Sequence, residues 1–256
     1  MTMGCRDLGL LHCRTTYLDA ALRVHRETLD RLSSQTADAA CFTSILLLVD
    51  AFATLQNRPL DPYEPPIQWL RIAYGARCVF DASGPFIKAE PRPLIRTITD
   101  SATGFSHPSA LFSEANMQKF PYLLQPLPPH GAMSPDDECD AEVMSVYKQT
   151  VSYIGSVKAA IDSGESPKVL CRRLMSFASL IPSRFLELVE EKAPRALIIL
   201  AHLFAVFVHV KDTWWIGNTP YREVYAIRDY IPSALHPLLE WPLCFLTDTR
   251  KLTATD

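Results

Sequence analysis

Residues 193–217, APRALIILAHLFAVFVHVKDTWWIG, decide the fold of this chain. From residue 196 to residue 210, every side chain is apolar except His202 and His209. Pro194 suits the first turn of a helix, because the N–H that proline lacks has no intrahelical partner there. A helix that is apolar on every side must be buried on every side. The pattern therefore predicts a central helix with other helices wrapped around it.

The same stretch is too short to cross a lipid bilayer. The 15 residues from 196 to 210 rise roughly 22 Å at about 1.5 Å per residue. A hydrocarbon core of about 30 Å needs about 20 residues. Two histidines within the run also oppose insertion. We therefore expect a buried helix and no membrane span.

Composition favours a chain with a sizeable apolar core and no nucleic-acid-binding surface of its own. The 256 residues are 48% hydrophobic and 21% charged, and the net charge is −3. The densest basic pairs are Arg172–Arg173 and Arg250–Lys251. Because phosphate binding needs clustered cations, we expect no direct nucleic-acid contact by this chain.

The cysteines indicate a reducing compartment and no metal site. Seven cysteines are scattered singly, and no C-x-x-C pair exists. Structural zinc with the usual ligand spacing is therefore not expected. The N-terminal residues lack a basic stretch followed by an apolar one, as a signal peptide would have. We expect a nuclear or cytoplasmic protein.

Helical periodicity runs through the rest of the chain. No stretch alternates with period two over more than four or five residues. Before and after the central helix, helices are predicted at residues 7–32, 37–56, 67–82, 109–119, 134–163, 166–180, 182–192, 221–230 and 233–240. The tail, residues 246–256, is expected to fray. The sequence thus predicts one all-α domain over residues 1–256, with roughly nine or ten helices.

The segment 84–135 is the exception to this regularity. It contains nine prolines, which exclude a continuous helix where they are densest. We expect an irregular connection inside the domain, tethered by aromatic residues such as Phe120 and Tyr122. A serine, a proline and two aspartates at 134–137 predict the start of the following helix.

Three stretches resemble the regulatory domain of fungal zinc-cluster transcription factors. They are LLHCRTTYLDAAL at 10–22, PRALIILAHLFAVFVHVKDTWWIG at 194–217 and ALHPLLEWPL at 234–243, in the family's order. The sterol-uptake-control type is the most similar subgroup. The resemblance implies an all-helical region that forms homodimers and binds a hydrophobic small molecule such as ergosterol, without a cofactor.

Two departures from the family pattern leave the role of the chain open. The six cysteines of the zinc cluster are missing, and Cys13 and Arg14 replace the usual His and Tyr of the first signature. The chain is therefore either an effector region of a longer factor or a stand-alone relative that has lost DNA binding. A stand-alone relative would be free to bind, or even to transform, a metabolite.

The two histidines of the central helix are the first candidates for a ligand site. His202 and His209 lie seven residues apart and so share a face. They are either core histidines bonded to backbone or hydroxyl groups, or a polar stripe facing a ligand. They lie about 10 Å apart along the axis, too far for one metal ion. The candidate ligand-binding residues are His202, Phe204, Phe207, His209, Trp214, Trp215 and Trp241.

Two functions fit these residues. The first is a ligand-sensing, dimerising regulatory domain that binds a sterol-like or polycyclic metabolite, with Trp214 and Trp215 as packing residues or as a lid. The second is a cofactor-free cyclase or isomerase of secondary metabolism, with acid–base help from His202, His209 or Asp50. Asp50 interrupts an apolar helix, and it is either a peripheral hydrogen-bonded residue or a buried acid.

Overall fold

A computed structural model describes residues 5–89, 95, 108–127 and 140–253. In these ranges the regular structure is entirely helical, which confirms the all-α prediction. The α-helices are α1 (Cys5–Asp30), α2 (Ala37–Thr54), α3 (Ile67–Ala89), α4 (Pro108–Leu111), α5 (Glu114–Met117), α6 (Ala141–Asp162), α7 (Pro167–Met175), α8 (Phe177–Leu180), α9 (Ser183–Glu190), α10 (Pro194–Phe207), α11 (Thr219–Tyr230) and α12 (Glu240–Thr253). Short 3-10 turns occupy Pro121–Leu124, Val208–Val210 and Ser233–Leu239.

The central helix is α10, as predicted. Every residue from Pro194 to Phe207 is buried. Helices α6, α9, α11 and α12 all pack against α10. Burial of this whole surface contributes to the free energy of folding at about 25 cal/mol per Å² of apolar surface removed from water.

Helix α3 is longer than its sequence indicates. The prediction ended it at residue 82, before a serine, a glycine and Pro85, but the helix continues to Ala89 with Pro85 inside it. A proline removes one backbone hydrogen bond from the helix. Packing of α3 against α2 offsets that loss, and Ser83 in this turn is fully buried.

The helical structure at the carboxyl terminus is also longer than predicted. Residues 246–253 were expected to fray, yet they belong to α12. Trp241 and Pro242 lie in the first turn of this helix, where proline is well tolerated. Leu239 and Leu246 are fully buried, and this burial anchors the helix to the core.

Two further boundaries differ in detail. The helix predicted at 166–180 is divided into α7 and α8 at Ser176. Helix α6 begins at Ala141, where the carboxylate of Asp140 accepts a hydrogen bond from the N–H of Glu142 at 2.8 Å. The start predicted at 134–137 lies outside the described residues, as do residues 90–94, 96–107 and 128–135 of the proline-rich segment. Within the described part of that segment, Phe120 and Leu123 are buried in the core.

Helix α2 is long and apolar enough, by length and composition alone, to cross a membrane. Helix α9 together with 194–210 also passes the same test, although the pair bends by 109°. Only 39% of α2 is buried inside the structure, whereas every residue of α10 is buried. The expectation of no membrane span stays a prediction.

Candidate functional site

His202 lies at the centre of a closed hydrogen-bonded arrangement. Its Nδ1 lies 2.8 Å from the carbonyl oxygen of Ile198, and its Nε2 lies 2.8 Å from the hydroxyl of Tyr122. A carbonyl can only accept, so Nδ1–H donates to Ile198 and Nε2 accepts from Tyr122. Complete burial lowers the pKa of His202 to about 4, and the ring is neutral at physiological pH.

A row of stacked rings continues from His202 to His209. The ring of Trp241 stacks on His202 at 5.5 Å, Phe245 stacks on Trp241 at 4.6 Å, and His209 stacks on Phe245 at 5.2 Å. We call these four residues the histidine stack. Burial, and then the nearby Lys158 ammonium, lower the pKa of the half-buried His209. The two histidines therefore contribute neutral rings to a packed aromatic row.

A second aromatic cluster lies on the opposite face of α10. The rings of Trp69 and Phe207 lie 4.9 Å and 5.0 Å from the ring of Phe52, and Trp215 lies 5.6 Å from it. Phe204 lies 6.1 Å from Trp69. We call these five residues the aromatic box. Such ring pairs prefer edge-on or offset contact and add stability beyond area burial alone.

The aromatic box contains an unusual polar atom. Trp69 is 1% exposed, and among the described residues its indole Nε1 has no hydrogen-bond acceptor. An unpaired buried donor destabilises the folded state by about 1–3 kcal/mol. The box therefore presents a donor that a ligand oxygen can satisfy.

The turn after α10 closes one side of the aromatic box. Trp215 lies in the box, whereas Trp214 is 78% exposed. The side-chain amide of Gln56 donates to the carbonyl of Trp214 at 3.0 Å. Gly217 has a φ of 49°, and a Cβ there would lie 2.6 Å from the Gln56 side-chain oxygen. The turn thus requires glycine and is fastened to the end of α2.

The structure divides the candidate ligand-binding residues into three groups. The histidine stack holds His202, His209 and Trp241, the aromatic box holds Phe204, Phe207 and Trp215, and Trp214 points to solvent. The central helix separates the two clusters. The candidate residues therefore do not share one site. Each cluster contains one buried nitrogen without a hydrogen-bond partner among the described residues, Nε1 of Trp69 in the aromatic box and Nδ1 of His209 in the histidine stack, and of the two residues only Trp69 is fully buried.

Asp50 lies apart from both histidines. Its carboxylate accepts from the Nε of Arg14 at 3.0 Å and pairs α2 with α1. Its side chain is 35% exposed, which matches the peripheral interpretation. The three residues suggested for acid–base chemistry are therefore not brought together, and the catalytic alternative stays a hypothesis.

Sequence reasoning missed a buried ion pair. Arg58 donates to both carboxylate oxygens of Glu223 at 2.6 Å and 2.7 Å, and the hydroxyl of Tyr63 lies 3.3 Å from the same carboxylate. Glu223 is fully buried. Burial raises its pKa, and the Arg58 guanidinium opposes that rise. The partners lie 165 residues apart, so no local spacing indicates them. The pair fastens the turn after α2 to α11.

In the described ranges, no group of three His, Cys, Asp or Glu side chains is placed to hold a metal ion. The expectation of no metal and no cofactor remains a prediction.

Comparison with known proteins identifies relatives among fungal regulators. The chain is 35% identical to the Zn(2)-C6 fungal-type transcription factor afumD of Aspergillus fumigatus, over 78% of this chain and 51% of that protein. It is 23% identical to a Zn(2)-C6 fungal-type transcription factor of Gibberella zeae, over 94% of this chain and 49% of that protein.

No family profile and no solved structure match the chain. The chain spans about half the length of the curated relatives it matches. The resemblance seen in the three sequence signatures is confirmed by these relatives. The chain belongs to the family of Zn(2)-C6 fungal-type transcription factors.

Proposed function

We propose that the chain is the ligand-sensing, dimerising regulatory region of a fungal transcription regulator that acts in the nucleus. Its relatives are transcription factors, and an all-helical region with a buried centre suits a role in sensing rather than in DNA contact. The absence of basic clusters supports the same assignment, because phosphate binding needs them.

The ligand of this regulatory region is a hydrophobic, sterol-like or polycyclic metabolite with one oxygen that accepts a hydrogen bond. The aromatic box carries this proposal. Its walls are its five aromatic rings, and Trp69 Nε1 is the polar atom that lacks a partner there. Small-molecule sites are commonly apolar with a few placed polar groups.

Within the histidine stack, His202 is a less suitable partner for the ligand than Trp69 of the aromatic box. Both ring nitrogens of His202 are already hydrogen-bonded, to Ile198 and Tyr122. A ligand that bound His202 would first have to break one of these buried hydrogen bonds, and the group left unpaired would cost about 1–3 kcal/mol. At Trp69, a ligand oxygen adds a hydrogen bond to a nitrogen that has no partner to lose.

Entry to the aromatic box requires its cover to move. The rings lie in contact, so the ligand displaces the turn that carries Trp214 and Trp215 rather than filling an open cleft. The exposed Trp214 on this turn provides an apolar surface that a ligand contacts first. Ligand occupancy then changes the position of the turn and of the α2 end to which Gln56 fastens it.

Sterol binding tests this proposal directly. The probe is dehydroergosterol, a fluorescent sterol, and the readout is its anisotropy during titration with the protein. We expect saturable one-to-one binding, and a dissociation constant raised about 5-fold or more by Trp69→Phe, since a hydrogen bond is worth about 1 kcal/mol.

The matched control is Trp241→Phe in the histidine stack, which also removes an indole but lies on the other face of α10. It should bind the probe like the unmodified protein. Anisotropy that does not saturate, or equal weakening by both substitutions, would contradict a ligand in the aromatic box.

A further inference from the structure

The outer face of α2 carries an apolar stripe that the fold leaves uncovered. Leu46 is 66% exposed, Ala39 is exposed, and Phe42, Val49 and Ala53 are partly exposed. These five residues follow one another at intervals of three, four, three and four. That spacing is typical of a helix face that meets another helix along its length.

Helix α1 extends the same surface. Tyr17 is 76% exposed and Val24 is 58% exposed. The helices run antiparallel, because Arg14 pairs with Asp50 and His25 lies 3.2 Å from Ser44. This register places Tyr17 near the level of Val49 and Val24 near the level of Phe42. We call Tyr17, Val24 and the α2 stripe the α1–α2 face.

The α2 stripe is self-complementary. The large side chain of Leu46 lies at its centre, Phe42 and Val49 flank it, and small alanines lie at both ends. If two copies of α2 run antiparallel about a two-fold axis at Leu46, Phe42 of each copy meets Val49 of the other. Ala39 then meets Ala53. A two-fold interface needs this kind of matching, in which one patch fits itself.

The charge distribution on α2 also permits contact with α2 of a second copy. No charged residue occurs from Ala39 to Val49, so no like charges oppose each other when the stripe meets itself. Asp50 at the border is already paired with Arg14 of the same chain. The α2 part of the interface is therefore free of charge from Ala39 to Val49 in both copies.

The size of the face is sufficient for a specific dimer. An 18-residue helix is about 27 Å long, and two neighbouring helices are about 20 Å wide. Each copy therefore contributes a footprint of about 500 Å², and the pair buries about 1,000 Å². This value lies at the lower limit for a biological interface.

We propose that the α1–α2 face is the homodimer interface of this chain, with two copies of α2 antiparallel and Leu46 on the two-fold axis. The proposal rests on the proposed function, which includes dimerisation but leaves its surface open. It also explains why the second most apolar helix of the chain is so little buried.

Sedimentation equilibrium of the unmodified protein, of Leu46→Glu and of Tyr230→Glu tests the interface. Tyr230 is the matched control, because it is a large side chain, 45% exposed, on α11. We expect Leu46→Glu to raise the dimer dissociation constant about 30-fold or more, the effect of a central interface residue, and Tyr230→Glu to leave it unchanged. Circular dichroism checks that both variants fold.

Cysteine cross-linking tests the two-fold axis itself. In a background with the exposed cysteines Cys13, Cys78 and Cys244 replaced by serine, Leu46→Cys should form an intermolecular disulfide on oxidation. Thr54→Cys is the control: in the antiparallel pair the two copies of Thr54 lie about 24 Å apart, beyond disulfide reach. Cross-linking of both variants would indicate a parallel pair and overturn the proposal.

The outcomes separate this proposal from the proposed function. If Leu46→Glu leaves the dimer dissociation constant unchanged and Leu46→Cys forms no intermolecular disulfide, the α1–α2 face is not the interface. Dimerisation itself would stand in that case. A protein that stays monomeric at 100 μM would overturn dimerisation itself. Binding of the monomer to phosphatidylcholine–phosphatidylserine vesicles, lost in Leu46→Glu, would assign the face to a lipid surface and overturn the proposal.

Discussion

His202, a candidate ligand-binding residue in the sequence, has both ring nitrogens hydrogen-bonded within the fold. A histidine in an apolar run is unusual, because an unpaired imidazole is destabilised by burial. Here the tyrosine at 122 and the carbonyl at 198 satisfy both nitrogens. Tyr122 belongs to the proline-rich segment, which the sequence could only describe as irregular. The hydrogen-bond partner of His202 was therefore unpredictable from local pattern.

Burial of neutral His202 makes stability depend on pH. Its folded pKa of about 4 lies below the ordinary value of 6.5, so the unfolded chain binds the proton more readily between these values. The free energy of unfolding should therefore fall as the pH falls from 6.5 to 4, by an amount on the order of 3 kcal/mol from this residue. Urea unfolding at several pH values measures the slope.

The control variant for this pH dependence is His202→Gln, whose side chain keeps a donor and an acceptor but does not titrate. Burial also lowers the pKa values of His25 and His209, so some pH dependence remains in the variant. We expect a shallower slope in His202→Gln between pH 6.5 and 4. Equal slopes in the two proteins would contradict the assignment of a neutral, buried His202.

At the scale of single elements, close contact between α5 and α6 gives a sharp prediction. A Cβ added at Gly155 would overlap the backbone carbonyl of Asn116. Since backbone cannot move aside easily, Gly155→Ala should destabilise the fold by about 1–3 kcal/mol. Gly75 is the matched control: it also lies inside a helix, but nothing lies within 4 Å of the position of its Cβ. Gly75→Ala should stabilise by about 0.5–1 kcal/mol.

Chemical denaturation of both alanine variants measures these differences, provided that the denaturant slope is unchanged. A stabilised Gly155→Ala protein would mean that α5 does not lie against α6 at this point.

The elements also show where sequence patterns lose their accuracy. Periodicity located the long helices, because each buries a continuous stripe of apolar residues. It misplaced ends where tertiary packing outweighs local preference. Helix α3 runs through Pro85 because its last turns lie against α2, and α12 persists because Leu246 is anchored in the core. Such long-range compensation leaves no local signal, and neither does the pairing of Arg58 with Glu223.

At the scale of the whole molecule, the central helix divides the core into two aromatic clusters. The sequence predicted the cluster residues that lie on α10, on the turn after it and at position 241, but it did not single out Phe52, Trp69 or Phe245 as site residues. It also could not predict that the clusters lie on two faces of α10. Their distribution depends on α2 and α3 on one side and α12 on the other, which no spacing within α10 reveals. The proposed ligand lies on the α2 side, next to the helix that carries the proposed dimer interface. Ligand binding and association therefore share one element.

The most direct test of the proposed function is reporter transcription in fungal cells. The chain is fused to an unrelated DNA-binding domain, and output is measured with and without sterol depletion, for the unmodified chain and for Trp69→Phe. We expect the unmodified fusion to change reporter output several-fold on depletion and the Trp69→Phe fusion to respond less. Output equal to that of the DNA-binding domain alone, under both conditions, would contradict a ligand-sensing regulatory role.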